Sequence, residues 1–222
     1  MALDVQLESG VNLVFATPVM IRKIADVDLV NSGLRQAILE AEAKDTGLPG
    51  SNVGGWQSKP VCLQWPIPEI ATLKGWVEDA VVHMACLPNE DATHIEYTAV
   101  AWANVIRNGD YNRTHNHGDI HWSCVYYVDC GEPEAGHPMN GRIELRDPRP
   151  GANIAGELRY PGYTFGEGLL LDPEPGMLLM FPGWIEHFVH PFFGNGERIS
   201  IAVNVTVSSV DGVKLLANTM SG

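Results

Sequence analysis

From about residue 94 onward the chain consists of short apolar stretches broken every few residues by Gly, Pro, Asn or Asp. Runs of β-favouring residues fall at 94–107, 123–128, 142–147, 168–172, 177–181, 186–192 and 198–207. Short runs separated by turn residues predict an all-β barrel or sandwich. The 198–207 run is the most regular: Arg198, Ser200, Ala202, Asn204 and Thr206 alternate with Ile199, Ile201, Val203, Val205 and Val207. Successive side chains of a strand point to opposite faces, so one face here is wholly branched aliphatic. Taken alone, the other face is that of an ordinary half-solvated strand. Because the aliphatic face needs cover, the polar face is placed in a barrel cavity.

Residues 1–90 carry helical signals between extended pieces. Val11 to Ile24 is rich in β-branched residues and reads as a strand. Asp28 or Asn31 is placed to cap a helix running to about Ala43, with Leu34, Ala37, Ile38 and Ala41 on one face. After a loop at 47–56, Pro66-Ile67-Pro68 precedes a second helix in which Ile70, Leu73, Val77, Ala80, Val81 and Met84 follow helical spacing. These two helices are the candidates to cover the aliphatic strand face. The expectation is a mainly β (α+β) single domain over 1–222, with a helical support region at 1–90 and a β core at 94–207. The Gly/Pro-rich stretches 129–141 and 148–167 are placed as lids over the barrel mouth.

Composition narrows the function classes. The 222 residues are 45% hydrophobic, enough for a sizeable core. A net charge of −13 argues against a basic nucleic-acid face and against docking on anionic membranes. No stretch approaches the ~20 apolar residues of a membrane span, and the start has no basic, apolar leader pattern. Cysteines at 62, 86, 124 and 130 include no Cys-x-x-Cys and read as reduced thiols in a cytoplasmic protein. A homodimer is the default assembly, because two-fold dimers are the commonest oligomers.

The candidate chemistry lies in three histidines. Of the eight in the chain, His83, His94 and His137 read as ordinary surface or structural residues. His115 and His117 stand two apart, so strand periodicity puts both imidazoles on one face, which Asp119 extends unless Gly118 ends the strand. His187 follows Phe181-Pro182-Gly183-Trp184 and opens a separate strand. Two ligands from one strand and one from another make a facial triad that leaves half the metal open. Iron(II) is its usual occupant and zinc the alternative. Arg198 offers a planar fork suited to a carboxylate, and Ser200 adds a hydroxyl on the same face. Alone, Arg198 would read as half of a structural ion pair. Beside a metal, the two residues fit the distal carboxylate of a dicarboxylic keto acid.

Several segments together resemble the 2-oxoglutarate/Fe(II)-dependent oxygenase superfamily, in the branch of small, uncharacterised bacterial 2OG-Fe(II) oxygenases. They are Phe15-Ala16-Thr17-Pro18-Val19, residues 51–58 with Trp56-Gln57-Ser58, Asn104 through Val128, Asp147-Pro148-Arg149, Phe181-Pro182-x-Trp184-x-x-His187 and Arg198-x-Ser200-x-x-x-Asn204. The resemblance implies a double-stranded β-helix (jelly-roll) barrel with supporting helices. It implies Fe(II), 2-oxoglutarate as cosubstrate and O2, and hydroxylation or desaturation of a small molecule with release of succinate and CO2. By position, His115 and His187 match metal ligands, Arg198 and Ser200 match binders of the 2-oxoglutarate distal carboxylate, and Tyr127 and Asn104 are expected to assist. Most of the superfamily has His-x-Asp or His-x-Glu at the first pair, whereas this chain has His117 at the carboxylate position. The short run from His115 to Tyr127 favours His115, His117 and His187 as ligands, with Asp119 the replacement for one of them. Arg149 and Trp184, and with them Trp122, are the candidates to meet substrate.

Two other readings stand beside this one. A cupin-type metal enzyme shares the barrel, and Gly109 followed after five residues by His115-x-His117 fits the opening of its first motif. The glutamate that motif needs is missing, since positions 121 and 122 are His and Trp. The remaining reading is a metal- or ligand-binding module without turnover.

Overall fold

The computed structural model describes residues 9–10, 16–85, 94–149 and 168–214. The elements run β1 (Met20–Lys23), α1 (Asp28–Glu42), β2 (Asn52–Val53), β3 (Trp56–Gln57), α2 (Pro68–Ala85), β4 (Ile95–Ile106), β5 (Tyr111–His115), β6 (Trp122–Pro133), β7 (Ile143–Leu145), β8 (Leu169–Leu171), β9 (Met177–Pro182), β10 (His187–Val189), β11 (Gly194–Val210) and β12 (Val213–Lys214). They form two antiparallel sheets. The larger is ordered β1-β9-β6-β11-β4-β3, with β12 on β11, and the smaller is ordered β2-β5-β10-β7-β8. Helices, large sheet and small sheet make three layers, a jelly roll with helical support on one side.

The alternation of β11 decides how the layers stack. Ile199, Ile201, Val203, Val205 and Val207 are buried in one core with Leu34 and Ile38 of α1 and Ile70, Leu73, Val77, Ala80 and Val81 of α2. Ala101, Ala103 and Val105 of β4 and Cys124 and Tyr126 of β6 join that core. Ile106, Val125, Tyr127, Leu179 and Phe181, from the opposite face of the large sheet, pack with Ile143, Leu145 and Val189 of the small one. Covered on both faces, β9 is buried at all six positions, which is why its sequence is a continuous apolar run rather than an alternating one.

Several boundaries differ from those expected. Only 20–23 of the Val11–Ile24 run forms a strand, while residues 11–15 lie outside the described residues. Neither Asp28 nor Asn31 caps α1. Its N-cap is Val27, without a side-chain bond, and Asn31 is buried, accepting a hydrogen bond from the Tyr126 hydroxyl at 2.7 Å. The 47–56 stretch contains β2 and half of β3, and β6 runs to Pro133, into the expected 129–141 loop. Residues 150–167 of the second expected lid lie outside the described residues. Cys62, Cys124 and Cys130 are free thiols, and Cys86 is outside the described residues. Among the described residues no helix is long and apolar enough to cross a membrane.

A β-bulge in β6 fixes which way its acidic residue points. Ile199 pairs with Asp129 but Ser200 pairs with Tyr127, so Val128 is the extra residue. Val128 and Asp129 therefore both face the helices, where Asp129 accepts from Arg35 of α1 at 2.9 Å. Arg35 also binds Glu197 at 2.5 Å, and Arg107 binds Glu42 at 2.7 Å and approaches Glu197 at 3.7 Å. Five alternating charges thus fasten α1 to β6, to β11 and to Arg107 just past the end of β4. These side chains are part-exposed, so the expected cost of Arg35→Gln is about 0.5–1 kcal/mol at low salt. Urea unfolding should show most of that difference vanish in about 1 M salt, where the Debye length is about 3 Å.

Candidate functional site

Between the sheets lies a cleft of about 460 Å3 of atom-free space, partly open to solvent. Its walls include Trp102 and Asn104 from β4, Asn112 and His115 from β5, Val125 and Tyr127 from β6, and Arg198, Ser200 and Ala202 from β11. His117 and His187 also line it.

His115, His117 and His187 each offer a ligand nitrogen, all within 4.8 Å of one another. His115 and His187 are direct cross-strand partners in the β5–β10 ladder. His117 is brought in differently from the periodic expectation. The strand ends at His115, and His117 follows in a loop held by its backbone N–H to Gly183 O at 2.8 Å. That approach needs glycine, because a Cβ at Gly183 would stand 2.6 Å from Ile120 O. Asp119 is exposed and is not part of the cluster.

Each imidazole is oriented through Nδ1. His115 Nδ1 lies 2.7 Å from Arg113 O, His187 Nδ1 lies 3.0 Å from Ile185 O, and His117 Nδ1 lies 2.5 Å from Asn204 Oδ1. A carbonyl oxygen only accepts, so each Nδ1 carries the proton and each Nε2 keeps a bare lone pair. Three bare Nε2 atoms converging on one point form a metal-ligand set, each fixed from behind by a hydrogen bond. Burial holds all three imidazoles below the ordinary histidine pKa. His187, with His115 close by, falls to about 3. The neutral, ligating form is therefore the resting form.

At the other end Arg198 is 3% exposed, and among the described residues it has no acidic partner. Its Nε donates to Gly141 O at 3.1 Å and its guanidinium lies 5.0 Å from the Tyr127 ring centre, but Nη2 has no partner. The Tyr127 hydroxyl is likewise buried and unpartnered. Ser200 sits beside both, paired in register with Tyr127 on β6 and Asn104 on β4. A buried cation costs several kcal/mol unless a counter-charge meets it. The bulge in β6 supplies the reason that none does. With unbroken alternation Asp129 would enter the cleft, whereas Cys130 stands opposite Arg198 instead. Burial pushes the Cys130 thiol up to about 11, so it stays neutral.

Of the residues singled out for substrate, Trp184 is half exposed, and it does not line the cleft. Arg149 is exposed and binds Asp147 of its own turn at 2.6 Å. Trp122 packs against the helix-side core. Three polar or aromatic lining residues were not singled out in the sequence. Trp102 stacks on His117 with ring centres 5.6 Å apart, and the alternation of β4 with Asn104 already carried the signal for it. Asn112 and its hydrogen-bond partner Ser51, 3.1 Å away, depend on a register shift in β5 that puts Asn112 and His115 on one face although they are three apart.

Burial of the imidazoles makes the metal-free protein acid-sensitive in a defined window. His187 has its pKa depressed in the fold, so stability present above about pH 6.5 is lost as pH falls toward 3. With EDTA present, the drop in unfolding free energy from pH 6.5 to 5 should be about 2 kcal/mol larger for wild type than for His187→Gln. Equal drops, measured by urea unfolding at the two pH values, would contradict the assignment.

Residues 100–204 match a family model described as "Putative 2OG-Fe(II) oxygenase". No curated protein matches the sequence significantly. Among solved structures, a prolyl-4-hydroxylase of Pseudomonas putida is 16% identical over 85% of this chain and 91% of its own, with a TM-score of 0.55. HygX of Streptomyces hygroscopicus, solved with nickel and 2-oxoglutarate, is 10% identical over 86% and 83%, with a TM-score of 0.54. The non-heme α-ketoglutarate-dependent carbocyclase SnoK, from nogalamycin biosynthesis, is 10% identical over 91% and 85%, with a TM-score of 0.60. At these identities the structural likeness speaks for the fold, and the family match covers the three histidines together with Arg198, Ser200, Tyr127 and Asn104. Over residues 100–204, just under half of its length, the chain is similar to the 2OG-Fe(II) oxygenases, and its fold is that of the solved structures above.

Proposed function

We propose that the protein hydroxylates a C–H bond of a small molecule, consuming 2-oxoglutarate and O2 and releasing succinate and CO2. The observation that carries this reading is the buried Arg198, whose Nη2 lies unpartnered with the Tyr127 hydroxyl in the same cleft as the three histidines. The orphaned donors call for an anion, and the histidines call for a divalent metal. A dicarboxylate with a keto-acid end answers both. HygX, solved with hygromycin B bound, and SnoK, from nogalamycin biosynthesis, favour a small molecule by analogy.

His115, His117 and His187 would hold iron(II), which when bound supplies open positions for keto acid and O2 and the oxidising chemistry. The rest falls to the chain. Arg198 takes the distal carboxylate through its free Nη2, and the Ser200 and Tyr127 hydroxyls complete the donor set. Tyr127 stays a donor because burial raises its pKa. Ala202, between Ser200 and Asn204 on the same face, presents only a methyl group and keeps the path from Arg198 to the histidines open. The lining residues contain no carboxylate, so the cleft's own charge is the single positive charge of Arg198. With a divalent metal it becomes threefold positive, a strong attraction for a dianion even in a chain of net charge −13. Trp102, stacked on His117, walls the metal end against water.

Replacing Arg198 by Met should separate the two costs. The metal-free variant should be more stable to urea than wild type by about 1 kcal/mol or more, because a buried unpaired cation is gone. Its affinity for 2-oxoglutarate, by anaerobic calorimetry with Fe(II), should fall at least ~100-fold while iron binding persists. Unchanged cosubstrate affinity would remove Arg198 from the role. Succinate formation with Fe(II), ascorbate and 2-oxoglutarate separates turnover from a binding module.

Cys130→Asp tests the same charge logic from the other side. A carboxylate opposite Arg198 should occupy the guanidinium and weaken 2-oxoglutarate binding at least ~10-fold, with metal affinity retained. Calorimetry showing wild-type affinity would mean that Arg198 is not the anchor.

A further inference from the structure

Asn204 stands on the cleft face of β11 and meets the histidine that occupies the position where most of the superfamily keeps a carboxylate. His115 and His187 are oriented by main-chain carbonyls, which can only accept a hydrogen bond. Their tautomer follows from the backbone and survives any side-chain change. His117 alone leans on a side chain, with Nδ1 2.5 Å from Asn204 Oδ1. An amide can present either end. With Oδ1 inward, His117 is protonated at Nδ1 and its Nε2 is bare. With Nδ2 inward, Nδ1 must accept, the proton moves to Nε2, and the ring cannot ligate. Among the described residues the Asn204 side chain makes no other hydrogen bond. Its cross-strand neighbours are Ser123 and Val100, so no second partner fixes the amide.

We propose that Asn204 is the positioning residue that makes His117 a metal ligand, its amide oxygen fixing the Nδ1-protonated tautomer and aiming Nε2 at the point shared with His115 and His187. This rests on the metal-centre reading above. A carboxylate ligand would need no such help, because it has no tautomer. A histidine in its place needs an acceptor behind it, and the chain places that acceptor six residues past Arg198 on the same strand face.

The test compares Asn204→Asp, which only accepts, with Asn204→Leu, which does neither. Asn204→Ala serves as a second deletion where leucine disturbs packing. In the metal-free protein, 15N-resolved histidine spectra should show an unprotonated Nε2 at His117 in wild type and Asn204→Asp. A protonated or tautomer-averaged Nε2 is expected in the leucine and alanine variants. Co(II) binding, read from its visible spectrum, should weaken about 10–100-fold in the deletion variants, approach the affinity of His117→Ala, and be restored in Asn204→Asp. An unchanged His117 tautomer and unchanged Co(II) affinity on deletion would overturn the proposal, as would full affinity in His117→Ala. Failure of wild type itself to bind Co(II) would instead remove the metal-centre reading and this inference with it.

Discussion

A single antiparallel strand, β11, holds together nearly everything that matters here. Its odd-numbered residues from Ile199 to Val207 bury against two helices, and its even-numbered residues from Arg198 to Ala202 line the cleft. Because side-chain direction alternates with every residue, neither face can be moved without the other. A one-residue slip would drive Arg198 and Ser200 into an aliphatic core and aim isoleucines at the metal end. The apolar burial that stabilises the helix layer is thus the same constraint that points the guanidinium, the serine hydroxyl and the Asn204 amide at the chemistry.

Two register irregularities tune this frame. In β6 the extra residue Val128 turns Asp129 outward to Arg35 and leaves neutral Cys130 facing Arg198. In β5 the shift between Asn112 and His115 turns both inward and exposes Arg113, whose carbonyl then fixes His115. Bulges concentrate near active sites because they re-aim side chains at the cost of one ladder position. Here they keep a carboxylate away from a cation and provide a carbonyl to an imidazole.

The electrostatic outcome is a cleft whose described lining has one positive charge and no negative one, in a strongly acidic chain. Three neutral imidazoles in place of two and a carboxylate leave a bound divalent metal with its full charge. Arg198, kept from acidic partners by the bulge, adds another. The distribution suits a small dianion spanning the cleft from guanidinium to metal.

The sequence by itself determined the period of β11, the two amphipathic helices, and hence a β core with one aliphatic face that the helices cover. It also pointed to Arg198 and Ser200 on one face, because strand alternation is a local property of the backbone, whereas His117 reaches the cluster from a loop past the end of β5. Trp102 was equally legible from β4 and was passed over. Asn112, Asp129 and Cys130 were not legible, since a bulge reverses facing and arises from pairing with another strand rather than from local preference. The loss of Trp184 and Arg149 from the cleft had the same cause, for a loop's direction is set by what it packs on. Only the tertiary structure decided that Asn204 stands behind His117. The two lie 87 residues apart and meet because β11 and the loop after β5 converge at the metal end, where the backbone hydrogen bond from His117 to Gly183 holds the loop in place.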